Sequence, residues 1–184
     1  MNTKAPKLPE LQAVTLDANK TALLVLDLTE LCADPKEECS TLVPGMTRFL
    51  AKARKAKVFI AFTIMAIFKG KPVGKVFSGF NAQPSEPVLF PNGFNKFEGG
   101  ELEEPLKQRG IDTVIVTGFR SNIAVMYTAT HAARALNYRV IVPVDGLAAL
   151  TEYEHEYTLY QLSVLPGGAS ERFTFTTLDQ ISFK

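Results

Sequence analysis

The residues best placed to do chemistry gather around one turn. Residues 114–116 form a short β-branched run that Gly118 ends, and Ser121 or Asn122 can then cap a helix. In that helix Ile123, Ala124, Val125, Ala129, Ala132, Ala133 and Leu136 are spread too widely for a surface stripe, which predicts burial. Free backbone N–H groups and the positive dipole end at such a helix start favour an anion or a thiolate, so a cysteine there would make a nucleophile. The residue present is Ala124, which can neither attack nor accept a proton. Phe119, Arg120 and Asn122 occupy the turn that would face a ligand. Arg120 can bind an anionic group and Asn122 can orient it, or both can serve only the turn and the cap.

The elements that must hold this turn alternate along the chain. Residues 22–28 and 58–63 are continuous apolar runs of the kind found in parallel strands covered on both faces. Between them, residues 43–56 carry apolar side chains near helical spacing, with Lys and Arg on the other positions. Residues 101–109 predict a helix with an acidic first turn, closed by Gly110. Asn137 can take the left-handed conformation that ends the helix after the turn, and residues 140–144 start a further strand. Residues 152–165 suggest a final helix and 172–177 a last strand. This order predicts an α/β fold, an open three-layer α/β/α sandwich with a mainly parallel sheet. In such sheets ligands bind beyond the carboxyl ends of the strands, where Asp27, Gly118 and Asp145 would converge.

Composition limits the remaining choices. The 184 residues, 46% hydrophobic and 21% charged, suit one compact domain over residues 21–184, preceded by a polar arm over residues 1–20. No apolar run reaches the roughly 18–20 residues needed to cross a membrane, and the first residues lack the apolar centre of a secretory signal, so a cytoplasmic location is expected. In that compartment Cys32 and Cys39 are expected as thiols. Net charge is +1, yet no Asp or Glu occurs between Cys39 and Ser85, where Lys and Arg are frequent. A solvated helix face and a mobile loop explain this simply; attraction of an anionic substrate is the functional rival. No nucleic-acid motif accompanies the charge. The loop over residues 64–80 mixes Gly and Lys with Phe68, Phe77 and Phe80, which points to a subunit interface or a lid. A symmetric homo-oligomer with Phe77 and Phe80 at the contact is therefore expected.

The motif GFRSNIAV, with TATHAA behind it, resembles the isochorismatase-like hydrolases, a superfamily of nicotinamidases, N-carbamoyl amidohydrolases and isochorismatases. Its usual pattern is G-x-x-T-N-x-C-V followed by T-A and a second alanine. The resemblance runs from TALLVLDLTE at Thr21 through NKFEGGEL at Asn95 to the VPVDG strand end. It implies a Rossmann-like sheet and a catalytic aspartate at Asp27. It also puts the family cysteine at Ala124, and the family lysine, six residues before Phe97, at Pro91. Lys96 is the candidate substitute for that lysine. Pro91 argues against an amidase that has lost only its thiol. The D-x-H element of metal-dependent members is replaced by FTIMAIF, and the only histidines are His131 and His155, so neither a metal nor a cofactor is expected. His131 is expected as a partly buried structural residue.

By resemblance, the chain is a cysteine-independent hydrolase of a small, anionic molecule, with Asp27 as general acid and Lys96 and Arg120 as anion binders. The alternatives are a catalytically inactive ligand-binding protein of the same fold and an interaction protein. Cys32, near Asp27 in sequence, is either a relocated nucleophile or a small buried residue.

Overall fold

The structure, a computed structural model, describes residues 7–184. Thirteen elements follow in order: β1 (Val14–Leu16), β2 (Thr21–Leu26), α1 (Val43–Lys55), β3 (Phe59–Thr63), β4 (Val88–Leu89), α2 (Glu103–Gln108), β5 (Thr113–Phe119), α3 (Met126–Arg134), β6 (Arg139–Pro143), β7 (Leu147–Ala148), α4 (Glu152–Ser163), β8 (Phe173–Thr176) and β9 (Ile181–Phe183). The main sheet runs β4-β3-β2-β5-β6-β8, with β7 beside the end of β5, and every pairing within it is parallel.

The alternation of β2 explains the layers. Ala22, Leu24 and Leu26 face one side of the sheet with Val114 and Val116, where Leu106 of α2, Ala129, Ala132 and Ala133 of α3 and Leu162 of α4 close over them. Leu23 and Val25 face the other side with Ile60, Phe62 and Ile115, under Met46, Phe49, Leu50 and Ala53 of α1. Both faces of β2 are buried, which is why the sequence reads as an unbroken apolar run.

Three expectations need correction. The first concerns the arm. Val14–Leu16 forms β1, which pairs in parallel with β9, and Val14, Leu16 and Ala18 are buried in the α1 layer. A three-residue alternation is too short for periodicity to register against polar neighbours, so the folded unit begins earlier than residue 21; residues 1–6 lie outside the described residues.

The second concerns the loop over residues 64–80, which folds as three short 3-10 turns. Phe80 is buried in the core and Phe77 packs edge-on against it, ring centroids 5.1 Å apart, so neither is the exposed aromatic that an interface would need.

The third concerns the cysteines. The 3-10 turns Glu30–Ala33 and Glu38–Leu42 bring Cys32 and Cys39 to a Cα separation of 5.2 Å, and the two form a disulfide. Cys32 is therefore not a thiol, and a nucleophile relocated to it is excluded in this state. Among the described residues no helix is long and apolar enough to cross a membrane.

Candidate functional site

Asp27 follows β2 directly and adopts φ 55°, a left-handed conformation that Asp tolerates better than most residues. Its N–H donates to the Thr63 carbonyl (2.8 Å), holding the reversal against the end of β3. The side chain is thereby turned across the strand ends. Its Oδ1 accepts from the Met65 N–H at 3.1 Å, and its Oδ2 lies 2.7 Å from Lys96 Nζ.

Lys96 comes from the loop after β4. Its backbone N–H donates to Thr128 Oγ1 on α3 (3.0 Å), and the next residue, Phe97, is buried against His131 and Tyr138 with centroids 5.8 and 6.1 Å apart. This anchoring drives the Lys96 side chain inward until none of it is exposed, whereas 18% of the Asp27 side chain still is. Burial raises the Asp27 carboxyl above its ordinary value; Lys96 and the Met65 N–H pull it back only in part. The Lys96–Asp27 contact is an ion pair by distance but is not aligned as a hydrogen bond, and Lys96 Nζ has no other partner among the described residues.

The turn after β5 is admitted by Gly118. Gly118 lies opposite Leu26 with φ 130°, and a Cβ there would stand 2.1 Å from the Leu26 carbonyl oxygen. The Phe119–Arg120 peptide is cis. Ser121–Val125 then makes a π-helical turn before α3. The expected side-chain cap is not formed: the N-cap position falls on Arg120, Ser121 Oγ has no partner among the described residues, and Asn122 turns away to Glu154.

Asp27, Ala124, Phe119 and Arg120 line one cavity of about 330 Å³, walled by Met65, Phe68, Phe94 and Ile123. Lys96 lies behind Asp27 rather than on this wall. Asn122 also does not line the cavity; its Nδ2 donates to Glu154 Oε1 at 3.0 Å, the same oxygen that Arg120 Nη2 reaches at 3.1 Å. Arg120 therefore borders the cavity with a carboxylate already bound. Glu154 is the residue the sequence reading missed. Its signal was present in Thr151-x-x-Glu154, a capping box at the start of α4. Desolvation pushes the Glu154 carboxyl up, but Arg120 and Thr151 together bring it below its ordinary value.

Asp145 does not join this group. Its Oδ1 accepts from the Leu178 N–H (2.8 Å), which fixes the chain before β9. Among the described residues no three His, Cys, Asp or Glu side chains gather closely enough to hold a metal ion. A larger cavity, about 810 Å³, opens at the other end of the sheet near Arg54, Phe59 and Glu86. Glu86 is bonded there to Arg54 and to the Gln83 N–H, so that cavity offers no carboxylate as free as Asp27.

The comparisons agree with this architecture. The isochorismatase domain matches residues 21–170. An uncharacterized isochorismatase family protein, YwoC, of Bacillus subtilis (strain 168) is 27% identical, over 93% of this chain and 99% of its own. An isochorismatase-like hydrolase from Alkaliphilus metalliredigens superposes with a TM-score of 0.78 at 28% identity, covering 89% of this chain and 94% of that one. A nicotinamidase from Staphylococcus aureus shares the fold, with a TM-score of 0.73 at 21% identity, covering 86% and 99%. A largely buried acid at the end of the first long strand, a facing turn after β5 and these matches have one reading: the chain belongs to the isochorismatase family of hydrolases.

Proposed function

We propose that this protein hydrolyses a small carboxylate-bearing molecule without a thiol nucleophile, Asp27 serving as the general acid. The observation that carries the reading is the buried Lys96–Asp27 contact at the edge of the cavity that Ala124 lines. A carboxyl raised by burial keeps its proton at higher pH than an ordinary one, and an adjacent ammonium stabilises the carboxylate left when that proton departs.

An enol ether suits those two properties. The proton on Asp27 passes to the terminal carbon, the C=C electron pair forming the new C–H bond and leaving an oxocarbenium ion. Water then adds to the cationic carbon, and the Asp27 carboxylate takes the proton that water releases. The hemiketal so formed collapses: the C–O bond to the leaving group breaks, its hydroxyl proton moves to the departing oxygen, and an alcohol and a ketone are released. Lys96 holds the carboxylate stage by charge. Arg120 takes the substrate carboxylate by exchanging it for Glu154 at the cavity edge. Phe68, Phe94 and Phe119 offer apolar surface to the remainder of the substrate.

The test is a screen of carboxylated enol ethers beside an amide panel, read by mass spectrometry of products. Turnover is expected for enol ethers alone, and Asp27→Asn should lower it by about 10²–10⁴-fold while ligand affinity stays within about tenfold. Unchanged turnover in Asp27→Asn removes Asp27 from the mechanism. Saturable binding with no turnover would instead favour a ligand-binding protein, the reading that Ala124 at the nucleophile position also supports.

A further inference from the structure

The cavity of about 810 Å³ at the other end of the sheet carries a charge that the fold does not use. Arg54, Lys57 and Arg109 line it, and Glu86 is the only carboxylate among the lining residues. Arg54 and Glu86 neutralise each other through two bonds of 2.8 Å. Lys57 and Arg109 have no carboxylate partner among the described residues, so the wall keeps two positive charges. The remainder of the wall has the make-up of a ligand pocket. Val58, Ile60 and Ile111 give it apolar surface, and Asn19, Gln83 and Ser85 add hydrogen-bonding groups. Its volume falls within the roughly 300–1,000 Å³ that small-molecule sites span.

Neither cation is there for the scaffold. Lys57 follows α1 at φ 62°, a left-handed position closing the helix, where Gly is the favoured residue. Its N–H donates to the Arg54 carbonyl (3.0 Å), a bond that the backbone of a glycine would make as well. Its charge is not needed against the helix dipole either, because Lys52, Arg54 and Lys55 already stand in the last turn of α1. Arg109 closes α2 with its guanidinium 4.4 Å from the centroid of the Phe59 ring and its Nη1 on the Pro105 carbonyl at 3.1 Å. These contacts orient the guanidinium at the start of β3 without neutralising it.

We propose that this cavity binds a small phosphate monoester, its phosphate held by Lys57 and Arg109 and its polar body set against Asn19, Gln83 and Ser85. A phosphate monoester carries about two negative charges near neutral pH on three acceptor oxygens, so one group matches both cations. A carboxylate carries a single charge and leaves one cation unmet. The site also gives a role to the stretch of chain that contains no acid, since Arg54 and Lys57 both come from it. It lies away from Asp27, at the opposite end of the sheet. A ligand there leaves the reaction cavity open, and the inference does not depend on the reaction proposed above.

Isothermal titration calorimetry with ribose 5-phosphate, ribose and succinate tests it. Ribose 5-phosphate is expected to bind at a single site with Kd below about 1 mM, succinate at least about tenfold more weakly, and ribose not at all. Lys57→Gly suits the left-handed cap and Arg109→Gln alters an exposed position, so both variants keep the fold. Each should weaken ribose 5-phosphate binding by at least about tenfold. Lys55→Gln removes the same charge from α1 outside the cavity and should leave the Kd within about twofold, because solvent screens an exposed charge at that remove. Four results would each overturn the proposal: no binding of ribose 5-phosphate up to about 10 mM, succinate or ribose bound as tightly, a Kd unchanged in either cavity variant, or an equal loss in Lys55→Gln.

Discussion

At the start of β3, Arg54 grips Glu86 through Nε and Nη2, both at 2.8 Å, and the Gln83 N–H adds a third donor to the same carboxylate. At the end of β2, Lys96 meets Asp27 through a single poorly aligned contact, and its ammonium has no other acceptor among the described residues. Both pairs are largely withdrawn from water, yet their satisfaction differs. A planar guanidinium matches a carboxylate at two points and leaves little of either charge unused, whereas a lysine is a point charge that a lone oxygen satisfies only in part. The first pair ties α1 to the loop before β4. The second stores unmet hydrogen-bonding capacity at the carboxyl ends of the strands, where a substrate can enter. The difference separates an ion pair with its bonds matched from one left partly unmatched, and the proposed acid role of Asp27 rests on the second.

The sharpest way to break that comparison is Lys96→Met. An apolar replacement of similar length should reduce turnover by about 10²-fold or more, since nothing then stabilises the Asp27 carboxylate after proton transfer. Stability should change by no more than about 1 kcal/mol, because Asp27 can take up a proton and removing a poorly satisfied buried charge offsets the lost attraction. A large loss of stability with intact turnover would make this pair structural after all.

Glu86→Ala should do the reverse. Denaturant unfolding is expected to show a loss of about 2 kcal/mol, below the roughly 3–5 for a fully buried pair because the Arg54 side chain remains 26% exposed. The activity of the folded fraction should match the wild type, and a fall in turnover would deny the separation of the two ends.

The smallest expected effect lies in the pH profile. As a general acid, Asp27 should support turnover at low pH and lose it as pH rises through a value above the ordinary carboxylate range. Lys96→Met removes a cause that lowers this value, so any residual activity should persist to higher pH. The linkage to folding has the same sign. The native state holds the Asp27 proton more tightly than the unfolded chain, so this group's contribution to stability is full below the unfolded value and disappears as pH rises through the folded one. A falling limb at or below the usual carboxylate range in the wild type would contradict the placement of Asp27 in an apolar setting.

The sequence disclosed the scaffold better than the site. Long apolar runs announced β2, β3, β5 and β6, and Asn137 takes the predicted left-handed turn at φ 61°. Two-residue strands such as β4 and β7 are below the length at which a pattern exists, and they are strands only because β3 and β5 offer them an edge. Asp27 was readable because a strand end has a fixed place in a parallel sheet. Lys96 was only a neighbour of Phe97 in sequence; its inward direction depends on Thr128, 32 residues later on α3. Arg120 and Asn122 were recognised as turn residues, but the carboxylate that occupies them comes from α4, and no local spacing could reveal that. The cysteines were misjudged for a related reason: two 3-10 turns, not the sequence interval, decide that they meet.

The left-handed backbone at Asp27 also limits which amino acids this position can hold. Gly, Asn and Asp enter that region at little cost, while a β-branched or long side chain meets its own backbone. Of the three, only Asp carries a proton that can be given and taken back. Glu, the obvious chemical neighbour, lacks the short side chain that lets Asp and Asn enter this region readily. Drift at this position therefore has almost no gradual route: a chain that keeps its fold and leaves Asp has Asn or Gly as its ready destinations, and either one would end the proposed acid chemistry in a single step.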